Sequence, residues 1–400
     1  MILTISPHPE VPPADASSRD HPKKTPFIAR VALSNFRSYA RAELTASGPP
    51  VVLAGPNGAG KTNLLEAISL LSPGRGLRGA RLSDHTRKGP SEGGLWAIAA
   101  SVSAGGICHE IGTGLALTPS GAERRQATLN GAPLPSSAEL SEILQIVWLT
   151  PAMDRLFIES AGARRRFVDR LTLGFDPSHA KTHTRYEAAT RERARLLKFG
   201  PRDPAWLDGL EDEMARTGAL IAQARSGAVS RLNRALAERG SAGAFPSAQL
   251  SLSGETEQLL EEHGRELEGE LRGRLKSTRM RDAESGRTSI GPHLSDLLVR
   301  HTAKRMDARD CSTGEQKALL IAIVLADAWE LARRNADASP ILLLDEIVAH
   351  LDSIRRSALF EEILALGAQA WLTGTDLPVF GELSERAEIF SLSDGQLVRR

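Results

Sequence analysis

Eight consecutive residues, Gly55-Pro56-Asn57-Gly58-Ala59-Gly60-Lys61-Thr62, fit the pattern G-x-x-x-x-G-K-[ST] of a phosphate cradle. Glycines let such a loop turn its backbone N–H groups onto a phosphate, where a Cβ would stand in the way. A helix opening near Lys61 adds the positive end of its dipole. In that arrangement Lys61 reaches the β- and γ-phosphates of a nucleotide and the Thr62 hydroxyl holds Mg²⁺. The plain alternative is a glycine-rich turn with a surface lysine, and the bare pattern arises by chance in roughly a few per cent of chains of this size and composition. Context favours the cradle. The β-branched run PPVVLAG precedes it, and TNLLEAISLLS follows with apolar residues at helical spacing.

A second pattern lies far downstream, in SPILLLDEIVAHLD. Residues Ile341 to Leu344 are wholly apolar, as expected of a central parallel strand covered on both faces. Asp345 and Glu346 stand at its carboxyl end, where open α/β sheets bind ligands. Asp345 is expected to orient Mg²⁺, directly or through water, and Glu346 to polarise an attacking water as the catalytic carboxylate.

Between these two lies CSTGEQKALLIAIVLADAWELARR. Ser312 and Glu315 have the spacing of a capping box at the head of a long apolar helix. Capping alone explains Ser and Glu. A Ser–x–Gly–Glu–Gln stretch shortly before a carboxylate strand is also similar to the signature motif of ABC-type ATPases. That likeness places Ser312, Gly314 and Glu315 against the γ-phosphate of ATP bound to a second protomer, and Asp352, in His350-Leu351-Asp352, on the loop that crosses to the partner. Its physical meaning is an ATP-dependent homodimer, with affinity between protomers linked to bound ATP.

The elements that must position these residues read as an α/β protein. Residues 1–26 form a leader whose Pro, Ser and Asp content suggests flexibility. Residues 27–150 carry the cradle, with LWAIAASVS, EIGTGLALT and ATLNGAPL among the segments from Gly93 to Leu149 read as antiparallel strands. LNGAP suits a hairpin turn. Residues 151–290 form a mostly helical lobe, rich in Arg, Glu, Ala and Leu and broken by AQLSLS. Residues 291–400 return to strand-and-helix alternation and carry the signature and carboxylate segments.

Fifty Lys and Arg balance forty-nine Asp and Glu, for a formal charge of +1. No global positive field advertises nucleic acid, so any DNA contact must come from local patches. Arg75 and Arg78 lie in one basic cluster, Arg164 and Arg165 in another. Both are candidates for DNA phosphates, although such clusters are more often solvated faces or partners for Asp and Glu within the chain. Two cysteines, Cys108 and Cys311, argue against a disulfide framework and suit a reducing cytoplasm. No apolar run reaches membrane-spanning length. His179 and His183 share a helical face but lack a third ligand nearby.

Taken in order, LSNFRSY, GPNGAGKTNLLEAI, GRGLRGA, LTPAMDRLF, RRRFVDRL, YEAATRERARLLK, SIGPHLSDL, STGEQK and LLLDEIVAHLD resemble the RecF family, from about Phe27 nearly to the end. The resemblance implies an ABC-type ATPase head, a P-loop parallel sheet plus an antiparallel sheet, with an inserted helical lobe and no long coiled coil. It further implies ATP and Mg²⁺ as cofactors, weak ATP hydrolysis, and binding to double-stranded and gapped or single-stranded DNA with low sequence specificity. Work with RecR and RecO, and through them RecA, at single-strand gaps and in the SOS response is implied likewise, with no membrane partner. One departure is chemical: WLTGTDL carries no histidine where many ABC ATPases place a switch histidine, which leaves the γ-phosphate sensor unassigned. The rival readings fare worse. A transporter ATPase does not account for the long helical lobe, an SMC-like head needs far longer heptad arms, and a P-loop kinase or GTPase leaves STGEQK unexplained.

Overall fold

The computed structural model describes residues 25–48, 50–88, 94–200, 203–239, 243–334, 339–393 and 396–400. The leader expected over 1–26 therefore lies almost wholly outside the described residues, as does the His350 side chain. In chain order the first part comprises β1 (Phe27–Phe36), β2 (Tyr39–Thr45), β3 (Val51–Ala54), α1 (Lys61–Ser69), β4 (Ala97–Ala104), β5 (Ile107–Leu117), β6 (Glu123–Leu129), β7 (Ala132–Pro133) and β8 (Ile146–Leu149). The middle holds α2 (Ala161–Phe175), α3 (His179–Phe199), α4 (Pro204–Arg239), β9 (Ala248–Ser253), α5 (Glu255–His263), α6 (Leu267–Ser277) and α7 (Arg279–Ser285). The last part comprises β10 (Asp296–His301), β11 (Met306–Asp307), α8 (Thr313–Arg334), β12 (Ile341–Leu344), α9 (Ser353–Leu366), β13 (Ala370–Gly374), β14 (Glu388–Ser393) and β15 (Gln396–Arg399).

Two six-stranded sheets organise these elements. One is antiparallel, in the order β2-β1-β4-β5-β6-β7. Asn130 and Gly131 both take positive φ at its β6–β7 turn, the backbone twist that a tight hairpin requires. The other runs β15-β14-β3-β13-β12-β8, with β14, β3, β13, β12 and β8 mutually parallel. Here the sequence reading needs correction. The run 146–149 does not close the antiparallel region; it pairs in parallel with β12 at the edge of the second sheet. Four consecutive buried apolar residues suit a strand covered on both faces, and periodicity does not reveal which sheet claims them.

Every residue of β3, β8, β12 and β13 is buried. Alternate side chains feed two cores. Val52, Val147, Leu149, Leu342, Leu344 and Leu372 pack toward α2, α4, α8 and α9. Val51, Leu53, Trp148, Ile341, Leu343 and Trp371 pack toward α1 and the antiparallel sheet. Each large aliphatic side chain so buried contributes about 1.5–3 kcal/mol, which holds the strand ends in place for the site.

The helical lobe is built on α3 and the 36-residue α4. The apolar segment AQLSLS within it is β9, which pairs antiparallel with β10 in a three-stranded sheet completed by β11. Residues on either side of position 290 therefore share hydrogen bonds. The His179–His183 face holds no metal cluster among the described residues. Both rings turn to Asp169, which Arg225 grips with two hydrogen bonds of 2.7 and 2.8 Å.

Candidate functional site

The loop between β3 and α1 adopts the backbone that its glycines permit. Gly58 and Gly60 have φ of 84° and 105°, outside the range comfortable for residues with a Cβ. At Gly60 a Cβ would come within 2.6 Å of the Tyr39 hydroxyl, which itself donates to the Gly60 carbonyl at 3.0 Å. At Gly55 it would strike the Leu392 carbonyl oxygen at 2.2 Å. So the cradle is wedged between β2 and β14, and packing requires glycine at positions 55 and 60. Lys61 is buried at the head of α1, its ammonium donating to the Gly55 and Pro56 carbonyls at 2.6 and 3.0 Å.

Strand order brings the second segment to this loop. β13 lies between β3 and β12, so the carboxyl ends of all three open side by side. Thr62, the first residue after Lys61, donates its hydroxyl to Asp345 Oδ1 at 2.9 Å, across 283 residues of sequence. Thr373, on the intervening strand, donates to the same oxygen at 2.8 Å and accepts the Glu346 N–H at 2.8 Å. Glu346 has φ of 51°, a left-handed conformation unusual for a residue with a side chain and often found at functional positions. Burial pushes the Asp345 carboxyl above its ordinary range, with the neighbouring Glu346 adding to the effect while Thr373, Thr62 and Arg78 oppose it. Negative charge at Asp345 is thus disfavoured in the protein alone, and a cation would relieve it. The Thr62 hydroxyl and the Asp345 carboxylate are hard oxygen donors that fit Mg²⁺. With so few protein ligands, phosphate and water would have to supply the rest.

Thr373 stands outside the sequence motifs. Its only mark in the sequence is a hydroxyl at the end of the apolar run AWL, within WLTGTDL. The place of β13 between the two motif strands is what gives it these partners.

The signature segment folds as a capping box. Ser312 Oγ accepts from the Glu315 N–H at 3.4 Å and donates to Glu315 Oε2 at 3.0 Å, while the Ser312 N–H donates to Glu315 Oε2 at 3.1 Å. Ser312, Thr313 and Gly314 are exposed, and the Cβ position of Gly314 is open, so a large anion can approach this end of α8 closely. Asp352 is exposed and caps α9 by accepting from the Arg355 N–H at 2.8 Å.

The four candidate arginines separate. Arg75 is exposed in the loop after α1. Arg78, also exposed, donates to Asn63 Oδ1 and to the buried Glu66, both at 2.9 Å. Arg37 binds the same Glu66 with two hydrogen bonds of 2.8 Å, so the NFRSY turn is clamped to α1 and its arginine neutralises a buried carboxylate. Arg164 is bidentate to Asp296 at 2.7 Å and Arg165 donates to the Ser295 carbonyl at 2.7 Å. These last two tie α2 to the start of β10, and a DNA phosphate would have to compete with those partners.

A phosphate cradle and a carboxylate strand joined through Thr62 and Thr373, with a capped helix preceding that strand, define an ABC-type ATPase head. Residues 27–395 match the model of the RecF/RecN/SMC N-terminal domain. The DNA replication and repair protein RecF of Agrobacterium fabrum is 48% identical over 369 residues, covering 92% of this chain and 97% of that protein. RecF of Rhizobium rhizogenes is 47% identical over 373 residues, covering 93% and 98%. The chain belongs to the RecF family of DNA replication and repair proteins. Among solved structures, the recombination mediator protein RecF-ATPrS in the RecFOR pathway superposes with a TM-score of 0.81 at 22% identity, covering 95% of this chain and 100% of that one. An Smc head domain from Pyrococcus furiosus, bound to the C-terminal domain of ScpA, shares the fold more distantly, with a TM-score of 0.52.

Proposed function

We propose that this chain is an ATP-dependent DNA-binding protein of recombinational repair, which dimerises on ATP and helps load recombinase at single-strand gaps, with RecO and RecR as partners. The observation that carries the nucleotide reading is the Thr62–Asp345 hydrogen bond, which joins the two distant motifs at one point. In this reading residues 55–62 wrap the phosphates, Lys61 leaves its loop carbonyls for the β- and γ-phosphates, and Thr62 and Asp345 hold Mg²⁺. The ion supplies charge neutralisation for the phosphates when bound. Thr373 holds Asp345 and the Glu346 backbone in register, and Glu346 orients the attacking water. Hydrolysis is slow.

Dimerisation is supported by the exposed Ser312 end of α8 and the exposed Asp352, whose sequence context matches the parts an ATP sandwich takes from its partner. ATP then acts as a linker whose affinity for the closed state sets the dimer population. Arg75 and Arg78 are the better placed of the arginines for DNA backbone, a contact that brings affinity without sequence reading. Anisotropy of a labelled gapped duplex, titrated at physiological salt with ATP, with ADP and with neither, tests the whole reading. Binding should tighten with ATP. Equal binding in all three states, or none, would overturn the coupling of nucleotide to DNA.

A further inference from the structure

Glu315 sits where an anion is expected. Its Oε2 lies 3.0 Å from the Ser312 hydroxyl, the group proposed above to meet a terminal phosphate. Lys304 and the two Ser312 hydrogen bonds hold this carboxyl down at about 2, so it is fully charged at neutral pH. Asp307 and Asp310 stand in the adjoining turn and add negative potential around Cys311. Arg309 stands 4.0 Å from Asp310, but the positive end of a helix dipole amounts to about half a charge, too little to offset the Glu315 carboxylate. A phosphate arriving there meets net repulsion unless a cation is supplied.

Lys304 supplies it. It lies in the β10–β11 hairpin and pairs with Glu315 Oε1, the oxygen that Ser312 leaves open. The hairpin is held from several sides. The Lys304 N–H donates to Nδ1 of the buried His301 at 3.4 Å, and the Arg300 guanidinium donates to the Arg305 carbonyl at 2.8 Å. The Thr302 N–H reaches the Ser247 carbonyl at 3.1 Å, and Arg305 takes a left-handed φ of 50° to close the turn. Lys304 is therefore aimed by a braced loop rather than carried on a free one.

We propose that Lys304 is a positioning residue for the ATP sandwich: it neutralises Glu315 and holds it as the cap of Ser312, so that this helix end accepts the terminal phosphate of ATP bound to a second copy of the chain. The inference rests on the sandwich reading. The plainer view is an exposed surface ion pair, which contributes little to stability and would leave assembly untouched.

Four proteins decide between them: wild type, Lys304→Arg, Lys304→Ala and the double variant Lys304→Ala with Glu315→Gln. Each is assayed for melting temperature, for ATP affinity at a concentration where it is monomeric, and for ATP-dependent dimerisation by sedimentation velocity. Lys304→Ala should keep wild-type ATP affinity and melting temperature, yet dimerise about tenfold more weakly or worse, because a two-fold dimer contains the unneutralised carboxylate twice. Lys304→Arg should behave as wild type. In the double variant the amide still accepts from Ser312 but carries no charge, so dimerisation should return. Unchanged dimerisation in Lys304→Ala, or a double variant as weak as Lys304→Ala, overturns the assignment. A wild-type protein that stays monomeric with ATP overturns the sandwich itself, a result separable from the first two.

Discussion

At the scale of single residues, the site turns on three short side chains: Thr62, Thr373 and Asp345. Two hydroxyls converge on one carboxylate oxygen, and one of them also takes the N–H of a residue in a left-handed backbone. Thr373→Val keeps the shape and removes the hydroxyl, leaving the Glu346 N–H without its partner. Urea unfolding should show a loss of about 1–3 kcal/mol, the range for a buried polar group deprived of its bond. ATP turnover should fall while nucleotide binding survives, and Thr373→Ser should restore both. A valine variant with wild-type stability and turnover would remove Thr373 from the machinery.

At the scale of elements, α8 carries the signature residues at one end and packs a long buried face against the sheet and α2. That face contains an acid. Asp327 is buried beside Arg170 of α2, whose guanidinium lies 4.5 Å over the Trp148 ring of β8. Burial pushes the Asp327 carboxyl up to about 8, only partly opposed by Arg170. An unfolded Asp titrates near about 4. Between those values the folded state binds more protons than the unfolded one, so stability falls as pH rises through the window and levels off above it. Asp327→Asn does not titrate. Its stability relative to wild type should therefore grow by up to about 1.4 kcal/mol per pH unit between pH 6 and 8, measured by urea unfolding at each end. A difference independent of pH would show that the acid is not raised.

At the scale of the whole molecule, the chain holds a complete cradle and carboxylate pair yet presents its signature helix end to solvent. In the proposed ATP sandwich, two copies would join these halves. Ser312→Arg puts a long side chain where the phosphate must approach, and it should leave ATP binding by the monomer intact while abolishing the ATP-induced dimer in light scattering. An intact dimer in that variant would dismiss the sandwich. The Ser312 variant blocks approach by bulk, whereas Lys304→Ala acts by charge alone, so only the second should be rescued by neutralising Glu315.

The amino-acid sequence by itself determined the parts whose chemistry is local. Residues 55–62 state a cradle because glycine backbone freedom and the following helix act within one turn. Residues 312–315 state a cap for the same reason. The apolar run before Asp345 announces a buried strand, because only covering on both faces makes four consecutive aliphatic residues favourable. Tertiary structure alone decided the rest. Residues 146–149 could not be assigned to the parallel sheet, since pairing is set by partners nearly two hundred positions away. The Ser295 and Asp296 partners of Arg164 and Arg165 lie about 130 residues downstream, and composition cannot distinguish a paired guanidinium from a free one. Thr373 and Lys304 gain their partners from the strand and hairpin that place them against Asp345 and Glu315. Local patterns record what a residue can do; only long-range packing records what it stands beside.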